Sequence, residues 1–545
     1  MLNGLTRLHS GMLLAIIGCI VFSFLSFKTQ NTGSGHPVDP NIEECTIQFD
    51  QGGQISLSHP DPKVEIYFTT NGADPMLVGE RYSGPLDKND LLTNLDQAYV
   101  RTGIKWKRPL RVTQDLIVVR YRALHKDGRW GGLTTRSFPI KDLGTLDVVA
   151  LTIAPGALFD PDTGINTIGN AFLNRDVRQE ALYAKNDAWW IYPGNYSKRG
   201  KNWERKASFE YFGADGLNTS AMIGVRVNGN FTRAFADRSL RLLFKEPQEI
   251  SFFGNGGLQG HEALILRNSG NDRHKTRIRD AFITSIAGNM DLDVQAYKPV
   301  TVYINGIYWG LYNLRERLDD EFFAIHFGVP KEDVAILEDM GSIYRGELKD
   351  SIDFFNSLRS VELLDMSDPR SYSMVRSHFD IENYIDHISC ELFFANQDWP
   401  THNVKIWRRN PKLGKESRWR WTLNDMDLAG GYHGAWQTEV DMFAHIQKAG
   451  GPTARLFKAL MGSEEFVGDL RMRMLELIEG QFSSPELLAA IEKVGSNIAP
   501  EMPRQIERWR YPANMGAWHQ EVGVLKEFCK GRPEYMRKAI NANLN

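Results

Sequence analysis

The stretch Asn396-Gln397-Asp398-Trp399-Pro400-Thr401-His402-Asn403 holds an aspartate and an asparagine with four residues between them. A second stretch, Leu423-Asn424-Asp425-Met426-Asp427, closes on two carboxylates. Such a set suits phosphoryl transfer. One aspartate orients or deprotonates an acceptor hydroxyl, while an amide and a second carboxylate hold magnesium against nucleotide phosphates. Asp-x4-Asn alone has low specificity, because a solvated turn carries the same spacing. Asp427 lies two residues beyond Asp425 and shares its face if the backbone is extended, so either carboxylate is a metal candidate. The structural alternative is a pair that caps a turn at Gly430-Gly431.

These residues need elements to hold them. Ile381 to Asn396 carries Tyr384, Ile385, Ile388, Leu392 and Phe393 at helical spacing and would deliver Asp398 at its C-terminal end. Val404 to Trp407 and Arg418 to Leu423 read as two strands around the polar turn Asn410-Pro411-Lys412-Leu413-Gly414. Upstream, Val300, Val302 and Ile304 alternate, Asn305-Gly306 is a strong turn dipeptide, and Tyr308 to Leu314 returns as a second strand. Arg205 to Phe212, Met222 to Val227 and Ser239 to Phe244 also read as strands, and Lys275 to Ala287 as a helix. From Asp319 onward helices dominate, with amphipathic runs at Leu456–Ile478, Pro485–Ile498 and Val522–Ile540.

On these blocks the chain resembles the CotH kinase family, the relatives of spore-coat protein H. The Asp291–Arg317 hairpin carries the resemblance, as do Leu266–Asp272 with Thr276, Arg279 and Asp280, and Gly224–Arg233 with Arg238–Leu242. The two acidic blocks and the helical tail at Glu465-Phe466 and Phe528–Tyr535 extend it. It runs from about Leu146 to the C-terminus. The resemblance implies an α+β fold: a two-lobed atypical protein-kinase-like domain over 146–545, with a front lobe at about 146–315 and a helical lobe at about 319–545.

The same resemblance implies magnesium-dependent transfer of the γ-phosphate of ATP to a Ser or Thr hydroxyl of a protein acceptor. Asp398 would be the catalytic aspartate, and Asn403, Asp425 and Asp427 the metal residues. Arg226, Arg238, Arg241 and Arg267 would serve the nucleotide phosphates, and Glu316 would begin the hinge. The family commonly has Lys where this chain has Arg238, so Lys245 is an alternative, since Arg and Lys differ in geometry. For each arginine a surface or strand-edge ion pair is the plain alternative.

At 545 residues the chain has room for two or three domains. A formal net charge of −3 gives no basic field that would argue for a nucleic-acid partner. Gly11 to Phe27 has no charged residue, which fits a signal anchor or signal peptide over residues 1–28 and contact with the membrane through 11–27. Ile16-Ile17-Gly18-Cys19 also resembles a lipoprotein box. Each reading puts the bulk of the chain outside the cytoplasm, in the periplasm or at the cell surface. A polar linker follows at 29–44. Residues 45–142 read as an immunoglobulin-like β-sandwich resembling the module attached to chitobiases, with an unusual insert at Asp87–Lys107. Cys45, Cys390 and Cys529 show no metal spacing and read as buried free thiols. No His-Glu-x-x-His or Gly-x-Ser-x-Gly string is present, and among the histidines His402 is the one expected to line the site. The rival reading is a non-catalytic surface or adhesion protein that keeps the fold. A carbohydrate-active protein, a third option, rests on the accessory module alone.

Overall fold

The computed structural model describes residues 38–544 apart from 40, 51–52, 93–94, 177, 179–188, 255–256 and 411–416. The apolar run at 11–27 and most of the linker lie outside the described residues. Among the described residues, no helix is long and apolar enough to cross a membrane.

The N-terminal region forms two small antiparallel sheets. One joins β1 (Thr46–Phe49), β2 (Gln54–Ser58) and β5 (Leu86–Asp87); the other joins β3 (Glu65–Thr69), β4 (Glu80–Arg81), β6 (Leu116–Leu124) and β7 (Thr134–Pro139). Ile55 and Leu57 from one sheet meet Ile66, Phe68, Ile117 and Val119 from the other in one core. The insert does not belong to either sheet beyond β5. It spreads over the next domain, where the Arg101 carbonyl accepts from Ile168 N–H and the Lys105 carbonyl accepts from the Tyr511 hydroxyl.

The centre of the chain is a closed seven-stranded barrel. Its strands are β8 (Asp147–Ile153), β9 (Arg205–Phe212), β10 (Asn218–Val227), β11 (Leu240–Gln248), β12 (His261–Arg267), β14 (Tyr297–Ile304) and β15 (Ile307–Glu316). The β14–β15 hairpin turns at Asn305-Gly306, where both residues have positive φ, as a two-residue hairpin turn of this hand requires. A side chain at Gly306 would also sit 2.3 Å from the Leu116 carbonyl, where β6 approaches the turn. Closure comes from β8, which pairs in parallel with β14 across some 150 residues of sequence (Val300 opposite Asp147) and antiparallel with β9.

The C-terminal half is helical but is not built of helices alone. A second sheet, in the order β13 (Asp293–Val294), β19 (Arg420–Leu423), β18 (Lys405–Arg409), β16 (Val334–Glu338), β17 (Ser342–Arg345), lies among the helices. β13, β16 and β17 are not among the strands expected from alternation. The expected long helix at Leu456–Ile478 is two helices, Gly451–Leu460 and Glu464–Glu479. Ser463 breaks it by accepting from Phe466 N–H as an N-cap. The helix expected from Lys275 begins at Arg279, after a short 3-10 turn over Gly270–His274. Its N-cap Ile278 and its residues Phe282 and Ile283 pack into the C-terminal core, so the boundary between the lobes is not a single point in sequence. Cys45, Cys390 and Cys529 are free and buried, as read from their spacing.

Candidate active site

The helix Ile381–Phe394 is buried at every residue but Glu382 and stops at Ala395, whose backbone is left-handed (φ 52°). The chain then turns through Asp398, whose carbonyl accepts from His402 N–H at 3.2 Å, and reaches Asn403, again left-handed (φ 62°), before β18 begins. On the far side of the β18–β19 hairpin, Asp425 is left-handed as well (φ 59°). Asn and Asp tolerate this region better than other side chains, but each such residue still carries strain that a fold keeps only where the surroundings fix it. Two of the three predicted metal residues therefore sit in strained backbone on either side of one hairpin.

The surroundings that fix Asp425 come from the barrel side. Met426 N–H donates to Asp280 at 2.9 Å, and Asp280 in turn meets Arg315 of β15. Arg267, the last residue of β12, donates to Asp425 at 2.5 Å and to Asp427 at 2.8 Å through the same nitrogen. Asp427 also accepts from the backbone N–H of Asn271 at 2.8 Å and from its side chain at 3.1 Å. Gly270 makes this approach possible, because a Cβ there would fall 1.8 Å from a carboxylate oxygen of Asp427.

Asp425 and Asp427 thus divide in role. Asp427 is 1% exposed and has donors on both oxygens, whereas Asp425 is half-buried and faces a cavity. Burial and the Asp425 charge push Asp427 upward, against the pull of Arg267 and Asn271. Burial, then the Asp425 charge, also raises Asp398 above the ordinary carboxylate range.

The cavity, about 280 Å3, brings together Asp398, Asn403, Asp425 and Arg267. The loop Asn228–Thr232 after β10 covers it, and Arg315 and Gln295 complete its wall. His402 lines it too, as expected. Asn403 and Asp425 offer hard oxygen donors of the kind magnesium takes. Among the described residues, no cluster of three His, Cys, Asp or Glu could hold a metal unaided. Asn403 and Asp425 would hold such an ion only together with ligands that are not protein side chains, as magnesium commonly keeps.

The remaining predicted residues lie elsewhere. Arg238 is 2% exposed, and its guanidinium is spent on the carbonyls of Phe235, Ile165 and Thr102, so it braces the insert against the barrel instead of meeting phosphate. Lys245 is on β11 and does not line the cavity. Arg226 and Arg241 line a neighbouring basic pocket that shares Gly229 of the same loop. The Glu316 side chain accepts from His326 at 2.8 Å and Ala296 N–H at 2.8 Å, and its carbonyl accepts from Gln295 at 2.5 Å, which leaves no free hinge contact. Of the predicted cations, Arg267 is the one in the cleft. Sequence reasoning did not single out Gly270, Asn271 and Arg315 for the site, although Gly270 and Asn271 fall inside the Leu266–Asp272 block.

A β-barrel set against a helical lobe, with two acidic segments at their junction, is compatible with a kinase-like layout. Residues 225–536 match the family described as CotH kinase protein, more than half of the chain, and the chain belongs to that family. The match begins inside β10, so β8 and β9, which close the same barrel, precede it. No curated protein matches the chain. Family membership implies use of ATP and a metal in general terms.

Proposed function

We propose that this protein transfers the γ-phosphate of ATP to a Ser or Thr hydroxyl of an extracytoplasmic protein, with magnesium. The observation that carries the reading is the meeting of Asp398, Asn403, Asp425 and Arg267 around one cavity, from three separate segments of the chain. Arg267 is the cation that faces the phosphates, in the part that the sequence reading gave to Arg238. Asp398 accepts the acceptor proton, and its raised affinity for protons suits a base working nearer neutral pH. Asn403 and Asp425 hold the magnesium, which, when bound, offsets charge on the phosphate oxygens. Asp427 acts at one remove, by fixing Arg267 and the segment at Asn271. The loop Asn228–Thr232 keeps water from the transferring group. The run at 11–27 anchors the chain, with the 45–142 module, read as an immunoglobulin-like accessory, between membrane and catalytic domain.

One observation favours the rival, non-catalytic reading. Arg267 already pairs with both Asp425 and Asp427, so each carboxylate has a cation partner without a metal. A direct experiment separates the two. The full chain in detergent is incubated with γ-labelled ATP and magnesium, and phosphorylation of the chain itself and of a Ser/Thr-rich acceptor is read by mass spectrometry. Transfer by the wild type that disappears in Asp398→Ala supports the kinase reading. ATP binding that is absent, or the same with magnesium and with EDTA, supports the surface protein.

A further inference from the structure

Beside the catalytic cleft, and sharing Gly229 of the loop after β10 with it, lies a small pocket of about 110 Å3. Lys198, Arg199, Arg226, Arg233 and Arg241 line it, with Gly229 between them and the catalytic cleft. Among the described residues, one ion pair reaches these five cations, Arg226 with Glu204 at 2.5 Å. Arg226 and Arg241 are register partners on β10 and β11, and like charges directly opposite on a sheet repel. Arg233 is held in place by carbonyls of Tyr196, Gly229, Lys198 and Val227, so its charge is fixed at the pocket wall without a carboxylate. Burial, then the charges of Arg199 and Arg241, pulls Arg233 down to about 10. Arg241 keeps a buried Nε with no hydrogen-bond partner among the described residues. Lys198 and Arg199 are exposed at the mouth.

So many mutually repelling cations around one small space are most stable with an anion inside it. Guanidinium forks match the oxygens of a tetrahedral oxyanion. The volume, less than half that of the catalytic cleft, suits one small oxyanion. We propose that this pocket is a second anion site, separate from the catalytic cleft, that takes one phosphate-sized oxyanion. It is coupled to the cleft through two asparagines. Arg199 donates to Asn230 at 2.9 Å and Arg241 to Asn228 at 3.0 Å, and both asparagines line the cleft. An anion that draws Arg199 and Arg241 toward itself competes with those bonds and loosens the loop.

The test measures binding to the full chain in detergent by calorimetry, with inorganic phosphate, a phosphoserine peptide and its unphosphorylated twin as probes. Wild type is expected to bind phosphate. Lys198→Gln/Arg199→Gln, which changes exposed residues and does not endanger folding, and Arg241→Gln should each weaken it by about tenfold or more, the effect of losing a charge-assisted contact. Asp425→Asn should leave phosphate binding intact, and added phosphate should shift magnesium-ATP affinity in the wild type more than in Lys198→Gln/Arg199→Gln. If the phosphopeptide competes with phosphate and its twin does not, the oxyanion is one carried on a peptide. If only inorganic phosphate binds, the site serves the free ion. Absence of binding to wild type, loss of binding in Asp425→Asn, or binding unchanged in both basic-pocket variants overturns the proposal.

Discussion

Asp425→Asn and Asp427→Asn should fail in different ways, and the structure sets the size of each effect. The two carboxylates are two residues apart and share the same Arg267 nitrogen, yet their surroundings differ. At Asp427 both oxygens receive N–H groups in a buried site, from Arg267 and from two atoms of Asn271. A carboxamide has one oxygen and one NH2, so one of those donors would face another donor. A charge-assisted hydrogen bond is worth about 1.5–3 kcal/mol, and an orphaned buried donor costs about 1–3 kcal/mol more. Asp427→Asn should therefore lose about 3 kcal/mol of stability. Asp425 is half-buried, makes one such bond, and has the left-handed backbone that Asn also accepts, so Asp425→Asn should cost about 1 kcal/mol or less. Binding reverses the order. Removing the cavity-facing charge should weaken magnesium-dependent ATP binding by about 10- to 100-fold, or about 1.4–2.8 kcal/mol. In EDTA the difference from wild type should vanish. Urea unfolding midpoints and ATP titrations with magnesium and with EDTA measure both effects. A stable Asp427→Asn protein with the larger magnesium-dependent loss would swap the two roles. Unchanged binding in both variants would move the metal away from this hairpin and remove the kinase reading.

Three further outcomes are expected. Arg267→Ala should weaken ATP binding by about tenfold or more, since it removes the one predicted cation in the cleft, whereas Arg238→Ala should lower the unfolding midpoint and leave ATP affinity near wild type; the reverse pattern in titrations would restore Arg238 to the phosphates. Asp398→Asn should cut transfer by about 100- to 10,000-fold with ATP affinity held within a few-fold, and wild-type transfer should fall on acidification at a pH above the ordinary carboxylate range, because the base must be ionised and burial raises its proton affinity. Glu391, wholly buried on the helix behind Asp398, is pushed up to about 8 by burial, so the folded chain keeps a proton there that an unfolded chain releases near pH 4.3; stability should fall as pH rises between those values, and Glu391→Gln should flatten that slope and add about 3 kcal/mol at pH 7, which pH-dependent urea unfolding of both proteins will check.

What could be seen in the sequence depended on how local the cause was. The β18–β19 hairpin, the helix that ends before Asp398 and the Asn305-Gly306 turn each follow from alternation, helical spacing or turn chemistry within about twenty residues, and all three stand in the fold. Asp398, Asn403 and Asp425 flank that hairpin, so finding it brought them to one cleft. The arginines could not be sorted that way. Arg226, Arg238, Arg241 and Arg267 all lie in or beside strands of one barrel, and what each one meets depends on closure by β8 against β14, a pairing that no local pattern announces. Arg226, Arg241 and Arg267 share the face of β10–β12 opposite the barrel core; the loop after β10 divides that face so that Arg226 and Arg241 line the basic pocket and Arg267 meets Asp425, while Arg238 is buried under the insert. The insert at 87–107 was unreadable for the same reason, since its role is to accept from Arg238 and Ile168 of a domain that follows it in sequence. The division between Asp425 and Asp427 rests on still less of the chain: a glycine at 270 that lets one carboxylate be enclosed while its neighbour, turned by a left-handed backbone, is left facing the cavity. Alternation put both carboxylates on one face, and alternation fails at a residue with φ of 59°, which is why the metal assignment needs the backbone and not the spacing.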